Sequence, residues 1–234
     1  MKTILLKFAG PLQSWGTSSH FETRHTDPHP SKSAVLGIIA ASMGCRRDED
    51  EKIRKLNQLL FAVREDQAGH VTDDYQTAHT LKYKPDPVVE RTYVTHRHYL
   101  EDAVFVAAVG HEDGQWIDEI VNALKHPYFQ LYMGRRSCPL PADFILKVID
   151  QKIVPALEEE PLQSADWYRK QYAGPVFIYA DASLLPEKPS SLRRDEVVSL
   201  SWKGRTYAWR QEAETHFDVS GETEEHDIFA SLGD

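Results

Sequence analysis

Ala103-Val104-Phe105-Val106-Ala107-Ala108-Val109 is an unbroken apolar run of strand length, and after it Trp116, Ile117, Ile120, Val121 and Leu124 recur at the three- and four-residue spacing of one helix face. A buried strand followed by an amphipathic helix is half of a repeated unit, so the fold turns on what lies on either side. Upstream, Ile4 to Phe8 reads as a first strand, followed by a loop carrying Gly10, Pro11 and Gly16. Ser31 or Ser33 then caps a helix through Ala34 to Ala41 that is apolar nearly all round, hence buried, and that ends near Gly44. A second helix after Asp48 puts Ile53, Leu56, Leu59 and Leu60 on one stripe, and Phe61 to Arg64 reads as a strand. Downstream, Phe144 to Ile149 supplies another. The order is β-α-β, an insertion, then β-α-β, which is the split βαβ pattern of a ferredoxin-like α+β sheet.

The insertion, residues 70 to 98, is polar, aromatic and interspersed with Lys82, Lys84, Arg91 and Arg97, and it has no core-facing period, so a protruding arm or long hairpin is expected. Beyond residue 150, Pro175 to Ala180, Val197 to Trp202 and Thr206 to Arg210 read as strands, the last two joined near Lys203-Gly204, with 184–191 as loop. Residues 1–150 are thus expected to form the main domain, and 151–234 an acidic β extension of it.

The chain carries a formal charge of -9 over 234 residues, which by itself disfavours non-specific duplex binding. The excess is not spread evenly: residues 1–147 hold 18 Lys and Arg against 19 Asp and Glu, and residues 148–234 hold 9 against 17, with Glu158 to Glu160 and Glu222 to Asp227 as local runs. A near-neutral body with an acidic end fits RNA held in a local groove. Two distant cysteines, Cys45 and Cys138, indicate neither a disulfide framework nor zinc, and no apolar run reaches the roughly 18 residues of a membrane helix. No signal peptide is legible at the N-terminus, so a cytoplasmic protein with no membrane contact and no cofactor is expected.

Tyr132-Met133-Gly134-Arg135-Arg136-Ser137-Cys138-Pro139-Leu140 is the stretch that bears most on function. Gly134 permits a tight turn with exposed N–H groups, Arg135 and Arg136 add two guanidinium forks, and Pro139 stops a helix or central strand. Such a turn suits phosphate, although a surface turn with two solvated arginines has the same composition. Trp15, in the Gly10 to Gly16 loop, is either a stacking platform for an unpaired base or a core-edge residue. Arg24 and Lys32 flank a polar loop, and Pro30-Ser31-Lys32-Ser33 opens a helix whose N–H groups attract anions, though ordinary capping explains the serines as well. His20, His25 and His29 lie close together, and His96 and His98 flank Arg97. Neither group completes a zinc spacing, and no nucleophile triad, P-loop or dinucleotide fingerprint is present.

Gly10-Pro11-Leu12-Gln13-Ser14-Trp15-Gly16, the Pro30 to Gly37 helix start, Tyr99-Leu100-Glu101-Asp102-Ala103 and Tyr132 to Leu140 together resemble the CasD family of type I-E CRISPR Cascade, within the RAMP superfamily. The resemblance covers roughly residues 1–150, with four separated motifs in the family's order. It implies a ferredoxin-like palm with a thumb at 70–98, holding the 5′ handle of crRNA and touching the large PAM-reading subunit and the backbone subunits. Target DNA would be met indirectly, by base pairing to the guide. RNA-binding residues implied on this reading are Gln13, Trp15, Arg24, Lys32, Ser33, Arg97, Gly134, Arg135, Arg136, Ser137 and Cys138, with backbone N–H groups of Gly134 and Ser137 assisting. The family resemblance points to a non-catalytic role. An alternative is a metal-independent endoribonuclease cutting CRISPR precursor RNA, with His96, His98 and Tyr99 as acid and base. A stand-alone RRM-like module is a third reading, disfavoured because its aromatic strand signature is not visible.

Overall fold

Alternation along the first strand sorts its side chains into two cores, and the rest of the molecule is arranged around that division. The structure, a computed structural model, describes residues 1–17, 22–83, 87–172, 174–201 and 203–218. His20, Lys84, Trp202 and the Glu222 to Asp227 run therefore lie outside the described residues. In chain order the elements are β1 (Lys2–Ala9), β2 (Leu12–Gln13), β3 (Thr23–Arg24), α1 (Lys32–Ser42), α2 (Asp50–Lys55), β4 (Leu60–Gln67), β5 (His70–Tyr83) and β6 (Pro87–Glu101). There follow β7 (Val104–His111), α3 (Gly114–Lys125), β8 (Ile145–Ile149), α4 (Ile153–Glu159), α5 (Asp166–Gln171), β9 (Pro175–Asp181), β10 (Ser190–Ser199) and β11 (Thr206–Asp218).

The main sheet has seven strands in the order β10-β11-β9-β4-β7-β1-β8, and every pairing within it is antiparallel. Ile4, Leu6 and Phe8 of β1, Phe61 and Val63 of β4, and Phe105, Ala107 and Val109 of β7 face α1 and α3 in the larger core. Leu5, Ala62, Val106 and Ala108 point the other way, where α4 covers them with Ile153, Ala156 and Leu157. The β7 strand is buried almost throughout, as a continuous apolar run covered on both faces must be. Ser31 caps α1 by accepting from the Ala34 amide, and Asp113 caps α3 by accepting from Gln115 and Trp116. At the other end of α1, Gly44 takes φ +74°, closing the helix as expected.

The insertion is a hairpin. Strands β5 and β6 pair from His70↔Glu101 to Tyr83↔Pro87, with a bulge at Thr80/Leu81, and at about 3.3 Å per residue the arm is roughly 45 Å long. Its root is tied into a second sheet by β2, antiparallel to β6, and by β3, parallel to it. Period-two alternation gives the arm two chemically different faces. Arg91, Tyr93, Arg97 and Tyr99 share one face, while His96 and His98 share the other with Asp73, which lies directly opposite His98.

The last third differs from its sequence reading in one instructive place. Ser190 and Ser191, expected in a loop, already belong to β10, which begins seven residues before the strand expected at 197–202 and overlaps it through Ser199. Its inward residues are Arg193, Asp195 and Val197, so a buried ion network replaces the apolar alternation by which a strand is recognised. Two short helices, α4 and α5, had no sequence-based counterpart. Pro155 sits in the first turn of α4, where its missing N–H is harmless. Among the described residues no helix is long and apolar enough to cross a membrane.

Candidate nucleic-acid interface

The turn at 132–138 is built to a fixed shape. Tyr132 and Pro139 bridge its base, Met133 N–H donates to the Cys138 carbonyl (2.7 Å) and Cys138 N–H to the Arg135 carbonyl (2.9 Å). Gly134 has φ +78°, and a Cβ placed on it would sit 1.7 Å from the Ser14 carbonyl oxygen, so no other residue fits without moving the neighbouring loop. That loop is tied back in turn, because Ser14 N–H donates to the Met133 carbonyl and Trp15 N–H to Thr26 Oγ1. The Gly134 N–H itself donates to the Tyr132 carbonyl (3.0 Å), so it is spent on the turn and is not a ligand donor, contrary to the sequence expectation.

Arg135 lies over the Tyr99 ring at 4.2 Å from its centroid and donates from Nη2 to the Arg24 carbonyl (2.9 Å). Burial would push the Tyr99 phenol up, but hydrogen bonds from Arg135 and Ser137 and the Arg135 charge outweigh it and lower its pKa. Since Arg24 is paired with Arg97 in parallel register, Arg24, Arg97 and Arg135 gather on one face of the hairpin root. Arg97 Nε and Arg135 Nη1 are buried and have no acceptor among the described residues. Arg136, exposed at the tip, makes no hydrogen bond or ion pair there either, and with Gly134 it borders an open groove of about 1060 Å³.

A model of the family described as "CRISPR-associated protein (Cas_Cas5)" matches residues 3–226. The chain belongs to this family. The "CRISPR system Cascade subunit CasD" of Escherichia coli (strain K12) is 32% identical over 157 residues, 58% of this chain and 66% of CasD, so the match spans just under two thirds of that relative's length. A solved "CRISPR RNA-guided surveillance complex" contains a chain superposing with a TM-score of 0.75 at 30% identity, covering 93% of this chain and 90% of its own. A second structure, "Crystal structure of Cas protein", gives a TM-score of 0.63 at 28% identity over 92% and 95% of the two chains.

Several residues singled out in this Cas5 sequence are engaged internally, and here the expectation is corrected. Trp15 is only 1% exposed, edge-on to Phe8 at 5.1 Å, with its indole N–H donating to Gln13 Oε1 (2.9 Å), so it has no face to offer a base. Gln13 is buried as well, donating from Nε2 to the Ala103 carbonyl (2.6 Å). The α1 N-terminus is occupied by a carboxylate of the chain itself, since Lys32 N–H donates to Asp195 Oδ2 (2.9 Å). The Lys32 ammonium, 6% exposed, pairs with Asp181 Oδ2 at 2.9 Å. A phosphate therefore cannot use that helix end as it stands. Cys138 is buried and packs in the larger core, whereas Ser33 is half-buried and lines the groove, and Ser137 is exposed.

Lys32 belongs to a buried ionic network that was not foreseen. Arg210 bonds Asp195 (2.9 Å), Asp181 (3.0 Å) and Glu212 (2.6 Å), and Arg193 reaches Glu212, Asp27 and His29. Burial and the neighbouring Arg193 charge lower the pKa of His29 to about 3, so it is neutral and stacks on Tyr179 at 3.9 Å. Asp27 also accepts from Thr17 Oγ1 (2.9 Å), which connects the network to the Trp15 loop.

The alternative catalytic set is not assembled. His96 Nδ1 is 2.7 Å from Asp73 Oδ2 and His98 Nδ1 is 3.2 Å from His25 Nδ1, but Tyr99 lies on the opposite face of β6, packed with Arg135. Among the described residues no three His, Cys, Asp or Glu side chains are arranged to hold a metal ion.

Proposed function

We propose that this Cas5 family member is a non-catalytic RNA-binding subunit of a Cascade-type surveillance complex. On this reading it grips the 5′ handle of crRNA and bridges the large PAM-reading subunit and the backbone subunits. The strands β4-β7-β1-β8 with α1 and α3 are then the ferredoxin-like palm, the β5–β6 hairpin is the thumb, and the strands after residue 150 are an extension of the palm. The observation that carries this reading is the locked Gly134 turn, which holds Arg135 beside Arg24 and Arg97 with two guanidinium nitrogens lacking acceptors. Unpaired guanidinium donors cost free energy unless an acceptor arrives, and phosphate oxygens or base edges are the acceptors that a planar fork matches best. A protein of net charge -9 that concentrates cations at one place favours a local grip over a general attraction to nucleic acid. The non-catalytic part of the reading is supported by the separation of Tyr99 from His96 and His98 across the two faces of β6.

Replacing Arg135 and Arg136 together by alanine tests it. Each charged contact contributes about 1.5–3 kcal/mol, so crRNA retention in the assembled complex should fall by on the order of a hundredfold or more. The slope of log affinity against log salt should become shallower by about 1.4, at roughly 0.7 per phosphate on a single strand. Unchanged retention with an unchanged salt slope would remove the turn from the RNA interface.

A further inference from the structure

Where β4 ends and β9 begins, aromatic side chains gather that neither the core nor the Gly134 turn uses. Trp167 of α5 is 57% exposed and Tyr172, just after that helix, 45%. Tyr168 lies between them, stacked on Tyr172 with ring centroids 5.3 Å apart and edge-on to Trp167 at 5.7 Å. The band reaches the sheet because the Tyr172 hydroxyl donates to the Pro175 carbonyl (3.4 Å), two residues before the half-buried Phe177. The end of β4 holds α5 from three points. Ala68 N–H donates to the Tyr168 hydroxyl (3.3 Å), Gln163 N–H to Asp66 Oδ2 (2.6 Å) and Ala165 N–H to Gln67 Oε1 (3.3 Å). Trp167 and Tyr172 are therefore displayed on a fixed support.

The neighbouring sheet surface is acidic. Tyr179 pairs with Glu214 and Phe177 with His216, and Glu65 projects from the same face of β4 as Val63, the partner of Tyr179. Glu65 is half-buried, and burial together with the Glu214 charge pushes its carboxyl up. Neither carboxylate makes a hydrogen bond or ion pair among the described residues.

We propose that this face docks a segment of a protein partner that presents arginine or lysine side chains, their cationic heads at Glu65 and Glu214 and their apolar stems against Phe177, Tyr172 and Trp167. Exposed tryptophan and tyrosine on a rigid support are the residue types that anchor interfaces, and they lose little freedom when covered. A guanidinium or ammonium group relieves the repulsion between two carboxylates and also favours aromatic faces. RNA does neither, since its phosphates meet two uncompensated negative charges here. None of these residues lines the groove beside the Gly134 turn. The inference rests on the reading of this chain as a subunit of an assembly and gives one contact in that assembly its chemistry.

The test uses the full chain carrying p-benzoylphenylalanine in place of Trp167, assembled with its partner subunits and crRNA and then irradiated. The expected product is a covalent link to a protein subunit within a few residues of an arginine or lysine, mapped by mass spectrometry. Two face variants, Glu65→Gln with Glu214→Gln and separately Trp167→Ala, are expected to weaken incorporation into the assembly tenfold or more, the glutamine pair more strongly at low salt than at high salt. Arg135→Ala with Arg136→Ala, away from this face, reports on the RNA reading by loss of crRNA. A link to RNA alone, no link at all, or incorporation of both face variants within twofold of the parent would overturn the docking face. If the arginine variant still loses crRNA, the subunit reading stands. A protein link with incorporation weakened by Trp167→Ala but not by the glutamine pair would overturn the cationic partner. Failure of the parent itself to assemble would overturn both readings.

Discussion

Replacing Gly134 by alanine should be among the most damaging single-methyl changes available in this chain. Two costs combine. At φ +78° any L residue is held in a sparsely populated region, at roughly 1–3 kcal/mol. The new Cβ would also stand 1.7 Å from the Ser14 carbonyl oxygen, so either the turn or the Ser14 loop must shift, and the Ser14 N–H bond to the Met133 carbonyl, worth about 1 kcal/mol, is lost with it. The total is about 2–4 kcal/mol, toward the large end of what point substitutions do. For a chain of this size that corresponds to a fall of roughly 10 °C in Tm. Gly37→Ala is the matched control: its Cβ meets nothing, and relief of the glycine penalty in α1 should add about 0.5–1 kcal/mol. Urea unfolding of the two variants and the parent reads both effects. A Gly134→Ala protein within about 0.5 kcal/mol of the parent would refute the view that this turn is locked by contact with Ser14.

Two further outcomes concern the buried network. Arg210→Ala strands Asp181, Asp195 and Glu212 without their shared partner, and breaking such a pair from one side should cost about 3–5 kcal/mol by chemical denaturation, whereas an exposed pair would cost under 1. His29 provides the pH dependence. Its folded pKa, about 3, lies below the ordinary 6.5, so the unfolded chain binds the proton first, and stability is full above pH 6.5 and falls as pH drops toward 3. Between pH 7 and pH 5 the parent should lose about 2 kcal/mol more than a His29→Gln variant in parallel urea titrations, and equal losses would mean that His29 is not held neutral.

What could be read from the sequence was whatever used apolar periodicity or special backbone geometry. The β7 run, the α3 stripe and the buried α1 all announce themselves because burial on one or both faces leaves a pattern in residue type. Gly134 was legible because a left-handed turn leaves few alternatives. The failures share one cause, which is that a polar residue looks the same whether it faces solvent, a ligand or another charge. Lys32 has the composition of a phosphate ligand and is instead the partner of Asp181, and Arg193 and Asp195 concealed a strand by carrying charge on its inner face. Trp15 poses the converse problem, since an indole in a glycine-rich loop suits a base or a core equally, and only the Gln13 acceptor decides. The cations at 46–47 and 203–205 were missed because their common feature, one groove, exists only after folding.

The partner of the first helix's leading amide, Asp195, lies 163 residues further along the chain, and its buried ammonium waits for Asp181. During synthesis, therefore, the early strands and α1 can collapse, but the Lys32 ammonium has only the Asn57 carbonyl, and the helix end no carboxylate, until β9 and β10 have been translated. Closure of the α1 end of the larger core thus depends on contacts of high sequence separation, the kind that form late in folding.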